Sequence, residues 1–110
     1  MLSLGDRLTL ETSKMIREDF LQQNAFVDVD SYSSYERQSI LLQMILDYDS
    51  LCRAAMEQGA DLNRLIKITA REQIGRAKYV PENEYRETYK RIGEDMKAQI
   101  SEISAGGEEL

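Results

Sequence analysis

Apolar residues recur along this chain at the helical period. Leu8, Met15, Ile16 and Phe20 stand at i, i+7, i+8 and i+12, one face of a helix, while Thr9, Glu11, Lys14, Arg17 and Glu18 take the other side. The spacing predicts a first helix from about Asp6 to Gln22, with Phe20 in the core. Ser3-Leu4-Gly5-Asp6 has the form of a capping box, in which a side-chain oxygen accepts from a free N–H of the first turn. Asp6 is the alternative cap, and Gly5 reads as a turn just ahead of the helix.

The densest apolar run is Ile40, Leu41, Leu42, Met44, Ile45 and Leu46, continued by Tyr48, Leu51, Cys52 and Met56. A helix so apolar around its circumference is expected to be contacted on several sides. At about 1.5–3 kcal/mol per large side chain buried, it supplies most of the hydrophobic gain. Ser33-Ser34-Tyr35-Glu36 predicts its start, with Ser33 as cap and Glu36 reaching back. Gly59 supplies the left-handed conformation that ends it.

Asp61 can cap a short helix through Leu62, Leu65 and Ile66. Thr69-Ala70-Arg71-Glu72 is read as a further capping box, opening a segment with Ile74 and Ala77 on its apolar side. Gly75 either weakens that segment or permits close packing, and Pro81 stops it. The last helix is expected from about Glu82 to Ile103. Along it Tyr85, Tyr89, Ile92, Met96, Ile100 and Ile103 form a continuous stripe that fits either docking onto the second helix or a partner. Ser104 to Leu110 reads as a frayed tail. No alternation of strand type occurs. The expected fold is all-α, a bundle of about four to five helices around one central apolar helix, with residues 1–103 as one domain and 104–110 as a flexible tail.

Between the first two helices, Asn24, Asp28, Asp30, Ser31, Ser33 and Ser34 favour turns, with Phe26, Val27 and Val29 packed among them. The only two phenylalanines, Phe20 and Phe26, flank Leu21-Gln22-Gln23-Asn24-Ala25. Aromatic rings and paired amides leaving a helix end serve as a core plug or as part of a ligand pocket. Asp28-Val29-Asp30-Ser31 lacks the loop glycine and terminal glutamate of a calcium-binding EF-hand, so solvated turn carboxylates are the reading taken.

Composition then removes whole classes of function. The 110 residues carry a net charge of −6, which disfavours generic binding to nucleic acid or anionic membranes. There is no histidine and only one cysteine, so a zinc site of N/S type, a Ser-His-Asp triad and Cys-His catalysis all fall away. Cys52 reads as a small buried residue. No run approaches the ~20 apolar residues of a membrane span. No signal peptide is recognised at the N-terminus, which points to an intracellular setting. Neither GxxxxGK[ST] nor GxGxxG is present, and the carboxylates form no acid–base pair, so the residues by themselves predict no catalysis.

One resemblance goes further. Ile16-Arg17-Glu18-Asp19-Phe20-Leu21-Gln22-Gln23-Asn24-Ala25-Phe26 resembles the C-terminal part of the catalytic A subunit of V-type and archaeal A-type rotary ATPases. Val29-Asp30-Ser31-Tyr32, the long apolar helix, Arg71-Glu72-Gln73-Ile74 and Lys78-Tyr79-Val80-Pro81 match in the same order. Ser3 to Leu10 is also similar to the related F-type β subunit just after its acidic stalk-contact loop. Val27 and Ser33 stand where family members often carry histidine and cysteine.

The resemblance implies a noncatalytic helical domain, with the phosphate loop and catalytic glutamate upstream in the parent subunit. It implies that Phe26 stacks on or near adenine, with Gln23, Asn24 and Ala25 lining the same pocket. It also implies that Leu4, Gly5, Asp6 and Arg7 face the central rotor stalk. ATP or ADP with Mg²⁺ belongs to the parent subunit, and none is expected on this chain alone. The implied partners are the B subunits and the central stalk of a soluble, cytoplasmic ATPase head at the membrane, with no nucleic acid and no insertion into the bilayer. The rival reading is a stand-alone acidic helical adaptor for a partner protein.

Overall fold

The computed structural model describes residues 3–21, 32–81 and 83–106. Helix α1 spans Leu4–Met15, and Ser3 is its cap, accepting from the Asp6 N–H at 3.1 Å. Of the two expected caps, Ser3 is the one used. Gly5 therefore lies inside the first turn and not in a turn ahead of it, and the Asp6 carboxylate sits beside the positive end of the helix. Leu8, Thr12 and Met15 are buried one turn apart. Beyond Met15 the chain widens into a π-type segment, Ile16–Leu21, where the periodicity alone predicts continuous α-helix.

Helix α2, Tyr32–Glu57, is the central helix. Its inner stripe of Leu41, Met44, Ile45, Tyr48, Cys52 and Ala55 is buried. The expectation of contact on several sides holds only in part, because Leu46 is 45% exposed and Tyr35 59%. Ser33 lies within the helix and is not its cap. Glu36 does not reach back to it: its carboxylate is taken by Tyr85 and Arg86, which are stronger partners than one more backbone N–H.

The end of α2 follows the expected chemistry. Gly59 has φ 101°. The Gly59 N–H donates to the Met56 carbonyl and the Ala60 N–H to the Ala55 carbonyl, both at 3.0 Å, the paired bonds of a Schellman motif. Ala55 and Ala60 are both buried at this closure.

Asp61 caps α3, Leu62–Ile66, by accepting from the Asn63 N–H at 3.1 Å. Helix α4, Thr69–Gly75, follows Ile68 as its cap, so Thr69 is its first helical residue and not the cap itself. The free N–H of Ala70 is instead satisfied from the last helix, by Gln99 Oε1 at 2.9 Å. A tertiary amide thus replaces the local box. Ile74 and Ala77 are buried as expected, but Gly75 ends the helix, and a 3₁₀ turn, Ala77–Tyr79, carries the chain on.

Helix α5 spans Tyr85–Gly106, shifted about one turn from the expected Glu82 to Ile103. Pro81 lies ahead of it in a turn closed by the Glu84 N–H on the Pro81 carbonyl, and the Thr88 N–H then bonds to Glu84. The stripe Tyr85, Tyr89, Ile92, Met96, Ile100 and Ile103 is buried throughout.

Paired residues fix the topology. Thr12 meets Asp49 and Thr9 meets Arg53, so α1 runs antiparallel to α2. Arg37 meets Tyr89 and Gln58 meets Ser104, so α2 and α5 run parallel, with α3 and α4 as the return. The described residues form an all-α fold of five helices with no strand, 49 × 30 × 16 Å. No helix among them is long and apolar enough to cross a membrane.

Candidate functional site

The two groups of site residues expected from sequence fall differently. Phe26, Gln23, Asn24 and Ala25 lie outside the described residues, as do Asp28 and Asp30 and the side chain of Phe20. Leu4, Gly5, Asp6 and Arg7 form the first turn of α1. Leu4, Asp6 and Arg7 are exposed and Gly5 is half-buried.

That first turn buries no apolar side chain, since Leu8 is the first inward residue of α1. It is tied down by polar contacts instead. Thr9 Oγ1 donates to the Gly5 carbonyl at 3.0 Å and accepts from the Arg53 guanidinium at 2.6 Å. Arg53 is held on Asp49, with Nε 2.8 Å from Oδ2, and Asp49 Oδ1 also accepts from buried Thr12 at 2.8 Å. Arg7 donates to Asn63 Oδ1 at 3.1 Å, which links the same turn to α3. Farther along, the half-buried Arg71–Glu11 ion pair at 2.6 Å joins α1 to α4.

A second polar cluster joins the starts of α2 and α5. Arg37 is 7% exposed. Its guanidinium donates to Tyr89 Oη at 2.9 Å and to the carbonyls of Ala77 and Val80 at 2.8 and 2.6 Å. It also lies 5.6 Å from the ring centres of both Tyr85 and Tyr89, within cation–π range. Beside it Glu36 accepts from Tyr85 Oη at 2.7 Å and from Arg86. The Arg86 hydrogen bond, followed by that of Tyr85, holds the Glu36 carboxyl below the usual carboxylate range. Sequence reasoning misses Arg37. The available signal is its place four residues before Leu41 on the buried stripe of α2, where a cation needs acceptors.

Between α2 and α5 an open groove of about 830 Å³ runs over Ile40, Met44, Tyr89, Gly93 and Met96. Among the described residues no three histidine, cysteine, aspartate or glutamate side chains gather as metal ligands. The described arrangement transmits position between helices and holds no nucleophile beside a base.

A family model for the C-terminal domain of V and A type ATP synthase matches residues 1–63. The chain belongs to this family. It is 42% identical over 104 residues to the V-type ATP synthase alpha chain of Acetivibrio thermocellus, a match that covers 94% of this chain and 18% of that protein. It is 48% identical over 80 residues to the A subunit of the A-type ATP synthase of Methanosphaera stadtmanae, covering 73% of this chain and 14% of the relative. The V-type alpha chain of Clostridioides difficile is 40% identical over 111 residues, 99% of this chain and 19% of its own length. The chain thus spans less than a fifth of the length of these curated relatives.

The resemblance read from Ile16 to Phe26 and from Arg71 to Pro81 accordingly identifies the C-terminal domain of an A subunit. The family model stops at residue 63, whereas the alpha-chain matches cover 94–99% of the chain. The Arg37 cluster, which spans residues 36–89, joins the part inside the model to the part beyond it.

Proposed function

We propose that this domain forms the adenine end of the nucleotide site of a V/A-type ATP synthase and passes movement of that site to the central rotor stalk. The observation that carries the reading is the 40–48% identity to the catalytic chains of V-type and A-type ATP synthases, which extends over most of the domain. In this reading Phe26 stacks on or near adenine, and Gln23, Asn24 and Ala25 line the pocket beside it. An aromatic face offers a purine apolar and π contact. Phosphate needs an amide-rich loop, which this chain lacks, and the described residues hold no carboxylate cluster for Mg²⁺. ATP or ADP with Mg²⁺ is therefore held chiefly by the rest of the parent protein, and the domain alone catalyses nothing.

The exposed first turn of α1, Leu4 to Arg7, is the stalk-facing contact in this reading. Polar ties from that turn to α2 and α3 support movement of the domain as one body. The partners are the B subunits and the central stalk, in a soluble, cytoplasmic head attached peripherally to the membrane, with coupling to proton or sodium transport. Nucleic acid and the bilayer interior have no part in it.

The test is Phe26→Ala in the full-length protein, which is expected to weaken nucleotide affinity by about 1–3 kcal/mol, the range for loss of one base–aromatic stack. Unchanged affinity in a folded variant returns Phe26 to a core role. Calorimetry on the isolated domain is expected to show no micromolar ATP binding.

A further inference from the structure

The first turn of α1 has no apolar anchor, so its orientation depends on a few hydrogen bonds. Ser3 caps it locally, and the described ties from outside α1 are two: Asn63 through Arg7, and Arg53 through Thr9. The Arg53 path is the more rigid. Asp49 grips the guanidinium through both oxygens, at 2.8 and 3.3 Å, and is itself fixed by buried Thr12. The Arg53 guanidinium also meets Thr9 Oγ1, whose own proton goes to the Gly5 carbonyl. The other terminal nitrogen of Arg53 stands 3.7 Å from where a side chain on Gly5 would begin. A continuous polar chain thus runs from Thr12 and Asp49 through Arg53 and Thr9 to the backbone of Gly5.

We propose that Arg53 is a positioning residue for coupling, fixing the Leu4–Arg7 turn to α2 so that the turn and the body of the domain move together. This deepens the stalk-contact reading and rests on it. A planar guanidinium suits the task because it holds the carboxylate with two donors and still donates in a further fixed direction. Without it, the turn keeps its helical backbone but loses its tie to α2, and motion of the domain is taken up as rotation of the turn.

The experiment uses the assembled enzyme in vesicles, with ATP turnover and ATP-driven ion transport measured together. Thr9→Val keeps the size of the side chain and removes the link; Thr9→Ser keeps the hydroxyl; Arg53→Met removes the cation. The expected result is a severalfold lower ratio of transport to turnover in Thr9→Val and Arg53→Met, with turnover retained and the ratio restored in Thr9→Ser. Leu4→Ala is measured alongside as a direct test of the stalk contact. If Leu4→Ala lowers the ratio while Thr9→Val and Arg53→Met leave it unchanged, the positioning role is overturned and the stalk contact stands. If none of the three changes it, both are overturned. Should Arg53→Met fail to assemble, the Thr9→Val and Thr9→Ser pair decides alone.

Discussion

Arg37 Nε donates to Tyr89 Oη at 2.9 Å, and that phenol donates onward to the Ala77 carbonyl at 3.1 Å. The same guanidinium reaches the Ala77 and Val80 carbonyls directly, so one side chain of α2 closes the corner between α4 and α5. Arg37→Met leaves those buried acceptors unpaired and is expected to lower stability by about 2–4 kcal/mol. Arg37→Lys recovers only part of this, because an ammonium cannot span acceptors that a fork reaches. A double-mutant cycle with Tyr89→Phe, read by urea unfolding, is expected to give a coupling of about 0.5–3 kcal/mol. Strict additivity would show that the two groups do not act together.

The same corner explains what is and is not legible in the sequence. Stripes set by one helix's own period are readable, which is why Tyr85 to Ile103 and Leu8 to Met15 are buried as expected. Glycine and aspartate signals at Gly59 and Asp61 also hold, because those residues act on their own backbone. The failures at Ser33 and Thr69 share one cause. Both capping boxes are locally possible, but long-range partners prevail: Arg86 and Tyr85 take Glu36, and Gln99 serves Ala70. A rule confined to four consecutive residues contains no term for such partners. The stalk-facing turn is legible only through family resemblance, whereas its ties through Arg53 and Asn63 emerge only in three dimensions.

Glu36 sets a low-pH dependence. Its folded carboxyl is held below the ordinary value of 4.5, chiefly by the Arg86 hydrogen bond. A depressed folded value means that the unfolded chain takes up the proton first as pH falls. The contribution is therefore present above about pH 4.5 and is lost as pH drops through the folded value. Urea midpoints measured downward from pH 6 are expected to fall less steeply below pH 4.5 in Glu36→Gln than in the unsubstituted protein. Parallel curves would remove Glu36 from the acid response.

Two glycines should respond oppositely to alanine. Gly59 sits at φ 101°, where an L side chain crowds its own backbone, so Gly59→Ala is expected to cost about 1–2 kcal/mol. Gly93 lies within α5, and a Cβ there meets nothing within 4 Å. Gly93→Ala removes backbone freedom from the unfolded chain and improves helix propensity, for an expected gain of about 0.4–1 kcal/mol. Thermal unfolding of the two variants checks the signs. Destabilisation by Gly93→Ala would mean that the α2–α5 groove needs the open position.

Cys52 gives a dependence at the alkaline end. The side chain is fully buried one helical turn beyond Tyr48, whose own hydroxyl is committed to the Leu65 carbonyl at 2.9 Å. Burial pushes the thiol up to about 12 from an ordinary 9; the Tyr48 hydrogen bond opposes this shift, and nearby Asp49 adds to it. Here the folded value is raised, so the unfolded chain loses its proton first as pH climbs. The stability that comes from keeping the thiol neutral is intact below about pH 9 and is lost between there and about pH 12. At pH 8 the native thiol is both covered and protonated, and an alkylating reagent reaches it only through opening of the fold. Its rate is expected to be about 10³-fold or more below that of a free cysteine, and to rise with urea in step with unfolding. Rapid alkylation without urea would show that α2 is open at Cys52, and Cys52→Ala would then cost less than removal of a packed core side chain.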